Sequence, residues 1–286
     1  MSYHTLQHLT VRLLFDEKFV QNLYKNPDSV LSDLDLTQEE KQQLLKIDPR
    51  AWSYDPLRRL RTMRTLVEEF KASTTIVLAE TRQLAFLDEF FSSNEFHESI
   101  QKRGSMGLAF AEYLSAKFRQ GVLKTPQLAD VLRLETLMAR SRRNLSQKVY
   151  IPSLPDILKE DLKIKFVPGA DVGAFQANTI ATIQKVEKYL FEVNLMPAMV
   201  LCDDAPRLSN LPVVETKKKS YLLCVPGANG ISLVNIEKSD YLVLIEARAT
   251  STIRQVIERA LASGVAKLKS QEIIARALEE ETLYLY

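Results

Sequence analysis

Through residue 147 the sequence is a succession of helical periods broken only by short Pro- and Gly-containing stops, and at residue 148 that texture ends. Residues 8–24 place Leu9, Leu13, Val20 and Leu23 near one stripe, and Asn26-Pro27 closes the run. Thr37 then opens TQEEKQQLLKID, where Thr37 and Glu40 have the Thr-x-x-Glu form of a capping box, and Asp48-Pro49 ends it. Asp55 stands where its carboxylate accepts the exposed amides of the next helix. Further helical runs at about 75–91, 94–102, 105–119 and 126–143 are punctuated by Gly104 and by Gly121 to Pro126. Six or so helices with short connections imply an all-α bundle over residues 1–147.

Residues 148–286 read as a second, α+β domain. KVYIPSLPDIL (148–158) and the stretch to Pro212 mix short apolar runs with Pro and Gly, a pattern of strands and loops, while IATIQKVEKYLFEV (180–193) keeps helical spacing. SYLLCVPGANGISLVNI gives two β-rich runs around residues 226–230, a hairpin signal. Three helical segments follow, opened by Ser239, Ser251 and Ser270, with Gly264 as the stop of the second. Periodicity leaves YLVLI (241–245) open between helix and strand, and LYLY at the end suits a last strand. A hairpin followed by three helices, about residues 220–286, has a winged-helix-like outline.

The length suits two domains, and 46% hydrophobic with 26% charged residues is ordinary for a globular chain. No apolar run approaches membrane-spanning length, and charges interrupt the apolar stretches of the amphipathic start, so the expected compartment is the cytoplasm. A net charge of +2, with 22 basic and 19 acidic residues up to residue 150 and 16 and 17 after it, argues against strong non-specific binding to nucleic acid. With three histidines, two cysteines and eight glycines there is little vocabulary for catalysis. His4 and His8 share a helical face but lack a third ligand. No phosphate loop, dinucleotide fingerprint or nucleophile elbow occurs. Asp203 and Asp204 next to Cys202 disfavour a thiolate, and Cys224 within YLLCV has the setting of a core residue. A binding protein fits this poverty, and an unaided enzyme whose site is assembled from scattered residues stays open beside it.

YDPLRRLRTMRTLVEEF (54–70) places four arginines on one helix. At 100° per residue Leu60, Met63, Leu66, Val67 and Phe70 cover the apolar arc, with Leu57 at its margin. Arg59 falls between Leu66 and Phe70, at the core edge, where a carboxylate or carbonyl is expected to meet it. Arg58 and Arg61 point away from the core, and Arg64 stands four residues before Glu68. Arg58, Arg61 and Arg64 thus form a candidate face for docking an acidic partner, against the plainer expectation of a solvated surface.

The order FDEKFVQNLYKNPDSVLSDLDLTQEEKQQLLKIDPRAW, DPLRRLRTMRTLVEEF and LDEFFSSNEFHESIQKRGSMGLAFAEYL resembles a family: the partner and substrate-recognition subunits of multinuclear non-haem iron oxidases that act on ribosomally made peptides, of the methanobactin-partner kind. The stretch NPDSVLSDLDLTQEEKQQLLKID alone is also similar to small helical subunits of extradiol dioxygenases and to helical leader segments. The resemblance implies a non-catalytic scaffold that docks an iron oxidase, the iron residing in that partner. GISLVNIEKSDYLVLIEARATSTIRQVIERAL is similar in layout to the small peptide-recognition domains of such pathways, where a precursor peptide adds a strand to a sheet edge. On that resemblance Tyr221, Leu223, Val225, Ile231 and Leu233 border the peptide groove, with Arg254 and Ile257 in its wall. The alternative is a winged-helix DNA-binding regulator using Arg254 and Arg259, although Glu258 and Glu279 to Glu281 spoil a coherent basic face.

Overall fold

A computed structural model describes residues 3–55, 57–102, 104–145, 159–194, 196–227, 230–249 and 251–286. The segment 148–158, read as strand and loop, and the hairpin tip at 228–229 lie outside them. The chain is a mixed α+β protein with two small antiparallel sheets. It divides into two units, residues 1–125 with 189–208, and residues 126–188 with 209–286. This division departs from a boundary at residue 147. The long helix 128–144 lays Leu134 and Leu137 on Phe175, Leu222 and Cys224 and so belongs with the strands.

The first unit holds α1 (Tyr3–Phe15), α2 (Glu17–Lys25), α3 (Pro27–Leu31), α4 (Gln38–Leu45), α5 (Pro49–Trp52), α6 (Leu57–Glu69), α7 (Lys71–Thr81), α8 (Leu84–Asp88), α9 (Asn94–Gln101) and α10 (Met106–Arg119). Local sequence fixes many of the starts. Thr37 and Glu40 form the capping box of α4, while Asp48, Ser93 and Ser105 accept first-turn amides of α5, α9 and α10. The run 8–24 is two helices rather than one. Asp16 breaks it, because its carboxylate accepts the Phe19 N–H and caps α2. The run 75–91 likewise ends early, at Arg82, whose left-handed φ of 56° stops α7.

Phe90 centres the main core of this unit, with ring centroids of Phe91, Phe96, Phe110 and Tyr113 at 5.2–5.7 Å. All five rings are buried. A satellite core of Leu9, Leu13, Leu23, Leu31, Leu44 and Trp52 ties α1–α5 together, and the Trp52 indole N–H donates to Tyr24 Oη at 2.9 Å.

The second unit contains α11 (Leu128–Asn144), part of α12 (Thr179–Glu192), α13 (Lys238–Leu244), α14 (Ile253–Ala262) and α15 (Lys267–Glu279). Its strands are β1 (Lys163–Phe166), β2 (Asp171–Gln176), β3 (Lys219–Gly227), β4 (Gly230–Ile236), β5 (Ser251–Thr252) and β6 (Leu283–Leu285). YLVLI is helical, because Glu237 and Asp240 make a capping box that starts α13. The three helix starts shift slightly from the serines. Glu237 and Thr252 cap α13 and α14, and α15 begins at Lys267 with Ser270 buried in its first turn.

The hairpin does not share a sheet with the terminal strand. It joins β2 in the order β2-β3-β4, whereas β6 and β5 flank β1 in the order β5-β1-β6. Period-two alternation gives the first of these sheets two apolar faces. Leu222, Cys224, Ile231 and Leu233 face α11, and Val172, Leu223, Val225 and Ile236 face the core built by α13–α15. No helix among the described residues is long and apolar enough to cross a membrane.

Candidate functional site

The arginine helix is more self-contained than its sequence implied. Arg59 is held at the core edge by Asp88 and by Glu17 Oε1 at 3.2 Å, with its guanidinium 5.5 Å from the Phe91 ring. Asp55 engages the two arginines expected to be available. Arg61 hydrogen-bonds to it, and Arg58 Nε lies 4.0 Å from Oδ2. The Arg61 bond holds the Asp55 carboxyl below the usual carboxylate range, against a smaller opposing effect of burial. Arg64 Nε donates to Glu68 at 2.8 Å. Leu60, assigned to the apolar arc, is 57% exposed and Leu57 is 54% exposed, while Met63, Leu66 and Phe70 are buried. What α6 presents to solvent is therefore an apolar ridge beside Arg61 and Arg64, which already hold Asp55 and Glu68.

In the second unit β3 pairs on both sides, but β4 pairs only with β3 among the described residues. Its sequence GISLVNI contains no charge and no proline, two of the devices that usually protect an edge strand. Beside it a groove of about 260 Å³ opens between β4 and α15. Val234 and Ile236 from β4, Leu223 from β3 and Ile273 and Ala277 from α15 line it. Asp240 and Arg276 meet there at 2.7 Å, and Asp240 Oδ2 also accepts the Glu237 N–H. Glu280 and Thr282 stand at the end of α15.

Only some of the expected peptide-binding residues converge. Leu223 lines the groove; Tyr221 packs its ring on Tyr241 at 5.0 Å, and Val225 packs against the core. Ile231 and Leu233 sit on the opposite sheet face against the cluster that includes Leu134 and Leu137. Arg254 pairs with Glu160 at 3.6 Å, and Ile257 is buried in the core. The groove wall is α15, not α14. Val234, Ile236, Ile273, Arg276 and Glu280 line this groove and were not among the expected residues; the register puts Val234 opposite Leu223 and Ile236 opposite Tyr221 in a hairpin closed by Gly227 and Gly230.

His4 and His8 stack loosely at 6.3 Å, and no cluster of three or more metal-binding side chains occurs among the described residues. Burial pushes the Cys224 thiol up to about 11, which suits a core residue and not a nucleophile. Cys202 is exposed. The chain matches no protein-family model and no curated protein.

Proposed function

We propose that this chain is a non-catalytic binding subunit that holds an extended peptide along β4 and presents it to a companion enzyme. The observation that carries the reading is the edge of β4, unpaired among the described residues, beside a groove of mixed apolar and polar lining. Backbone N–H and C=O groups on such an edge recognise any extended chain, and pockets beside it choose alternate side chains. The sequence resemblance suggests the companion, a multinuclear iron oxidase acting on a precursor peptide. The exposed Leu57–Leu60 ridge of α6, with Arg61 and Arg64 beside it, is the docking face assigned to that enzyme. Surface ion pairs such as Arg64–Glu68 are worth at most about 1 kcal/mol and exchange readily for a partner's carboxylates.

Fluorescence anisotropy with a labelled eight-residue alternating Val/Thr peptide tests the edge. The peptide is expected to bind, and N-methylation of alternate residues is expected to abolish binding by removing its ladder donors. Equal affinity for both forms would eliminate strand addition. Co-purification with an iron oxidase encoded beside the chain tests the docking role, and double substitution Leu57→Ser and Leu60→Ser is expected to disrupt it.

A second reading has one supporting observation. The hairpin of β3 and β4 is followed along the chain by the three helices α13, α14 and α15, the element order from which a winged-helix DNA-binding regulator is read. The charges oppose it: Arg254 and Lys267 pair with Glu160, and Arg259 pairs with Glu246. Duplex binding that weakens steeply with salt would favour this reading.

A further inference from the structure

We propose that the groove between β4 and α15 selects a peptide strand bearing a basic residue where it passes the C-terminal end of α15. This rests on the strand-addition reading and adds the charge of the ligand. Three charged side chains line the groove: Asp240, Arg276 and Glu280. Asp240 and Arg276 satisfy each other, which leaves the carboxylate of Glu280 without a cation among the described residues. Glu279 and Glu281 flank it, both exposed.

Glutamates at this place work against the local structure twice. A helix C-terminus carries the negative end of the macrodipole and favours cations. In addition, Glu281 adopts the left-handed conformation, φ 52°, at the position after the cap. The Glu281 N–H donates to Leu278 O at 3.2 Å and the Thr282 N–H to Ala277 O at 2.9 Å, a Schellman ending in which glycine is the usual residue. The preceding helix shows the contrast. There Gly264, φ 88°, holds the same position, with Gly264 N–H on Leu261 O and Val265 N–H on Ala260 O, both at 2.9 Å.

Two such costs borne beside a groove have a ready explanation in the ligand. Leu223, Val234, Ile236 and Ile273 take apolar side chains two residues apart on one face of an added strand. Where that strand passes Glu280 in the same groove, a lysine or arginine meets an exposed carboxylate that pairs with no cation among the described residues.

The test uses the full chain and fluorescein-labelled peptides with one alternating Val/Thr core, ending in two lysines or two glutamates, with the charged pair placed at either end in turn. Anisotropy titrations are run on the unaltered protein and on Glu280→Gln, whose thermal melt reports intact folding. The better lysine peptide is expected to bind at least fivefold more tightly than its glutamate counterpart, and Glu280→Gln is expected to reduce that preference below twofold. Equal binding of lysine and glutamate peptides, or a preference untouched by Glu280→Gln, overturns the charge selection while leaving strand addition standing. Binding of neither peptide overturns strand addition itself, and the charge selection with it.

Discussion

Asp16 Oδ2 lies 3.4 Å from His97 Nε2 where the junction of α1 and α2 meets α9. The carboxylate is almost enclosed, at 3% exposure, and it also takes the Phe19 N–H at 3.0 Å and the Ser92 hydroxyl at 2.9 Å, with Arg12 Nε at 3.6 Å. Burial pushes this carboxyl up, but the His97, Phe19 and Ser92 contacts and the Arg12 charge together push it further down, so its net position is below the usual range. One side chain thus caps a helix and ties three helices together.

That sign fixes a pH dependence. A carboxyl lowered on folding contributes stability fully above its unfolded value, about 3.9, and the contribution disappears as pH falls through the lower folded value. Urea melts between about pH 5 and 2 are expected to show the unaltered protein losing stability faster than Asp16→Asn. At neutral pH Asp16→Ala is expected to cost about 1–3 kcal/mol, from the lost cap and the stranded donors around it. Parallel acid profiles for protein and Asn variant would contradict this.

Phe90 touches four other buried rings at 5.2–5.7 Å, an arrangement that adds edge-to-face attraction to ordinary burial. Phe90→Ala is expected to destabilise the first unit by about 3–5 kcal/mol, and Phe90→Leu by markedly less because it leaves a smaller void. Chemical denaturation followed by circular dichroism measures both.

The two sides of α6 separate docking from folding. Leu66 is 3% exposed, so Leu66→Ala is expected to cost about 2–5 kcal/mol. Leu60→Ser removes little buried surface and is expected to stay within about 0.5 kcal/mol of the unaltered protein. Thermal melts of the two variants discriminate; a large loss with Leu60→Ser would show that the ridge serves the fold rather than a partner.

Local signals were legible where a few neighbouring residues decide the structure. Thr37 and Glu40 marked a helix start, and the glycines at 227 and 230 marked the tight hairpin. Arg59 at the core edge was also readable, since helical angles alone placed it between Leu66 and Phe70. Leu60 was not, because an angle says which way a side chain points and not whether another helix lies there. Buried Thr74 and Thr75 mislead in the opposite sense: each hydroxyl donates to a backbone carbonyl close by in the chain, Thr74 to Phe70 at 2.8 Å with Val67 at 3.4 Å and Thr75 to Lys71 at 2.7 Å, and so passes into the core. β5 is two residues long and pairs with β1 nearly ninety positions earlier, too short for any period to register. The groove was hidden for the same reason. Val234 and Ile273 come to line one groove only through the packing of α13–α15 with strand residues in a shared core, so the hairpin could be read but not the wall beside it.

Gly264 and Glu281 offer a final measurement on paired helix ends. An added Cβ at Gly264 meets nothing within 4 Å, so replacing it tests backbone conformation with no steric clash. Gly264→Ala is expected to destabilise by about 1 kcal/mol, the cost of a left-handed non-glycine residue. Glu281→Gly is expected to stabilise by about 0.5–1 kcal/mol, the conformational relief being partly offset by the freer unfolded chain. Removing the charge from the negative end of α15 adds in the same direction. Urea melts at neutral pH read both signs. If Glu281→Gly instead loses stability, the side chain has a structural partner in the folded protein, and the glutamates at the end of α15 are there for the fold and not for a ligand.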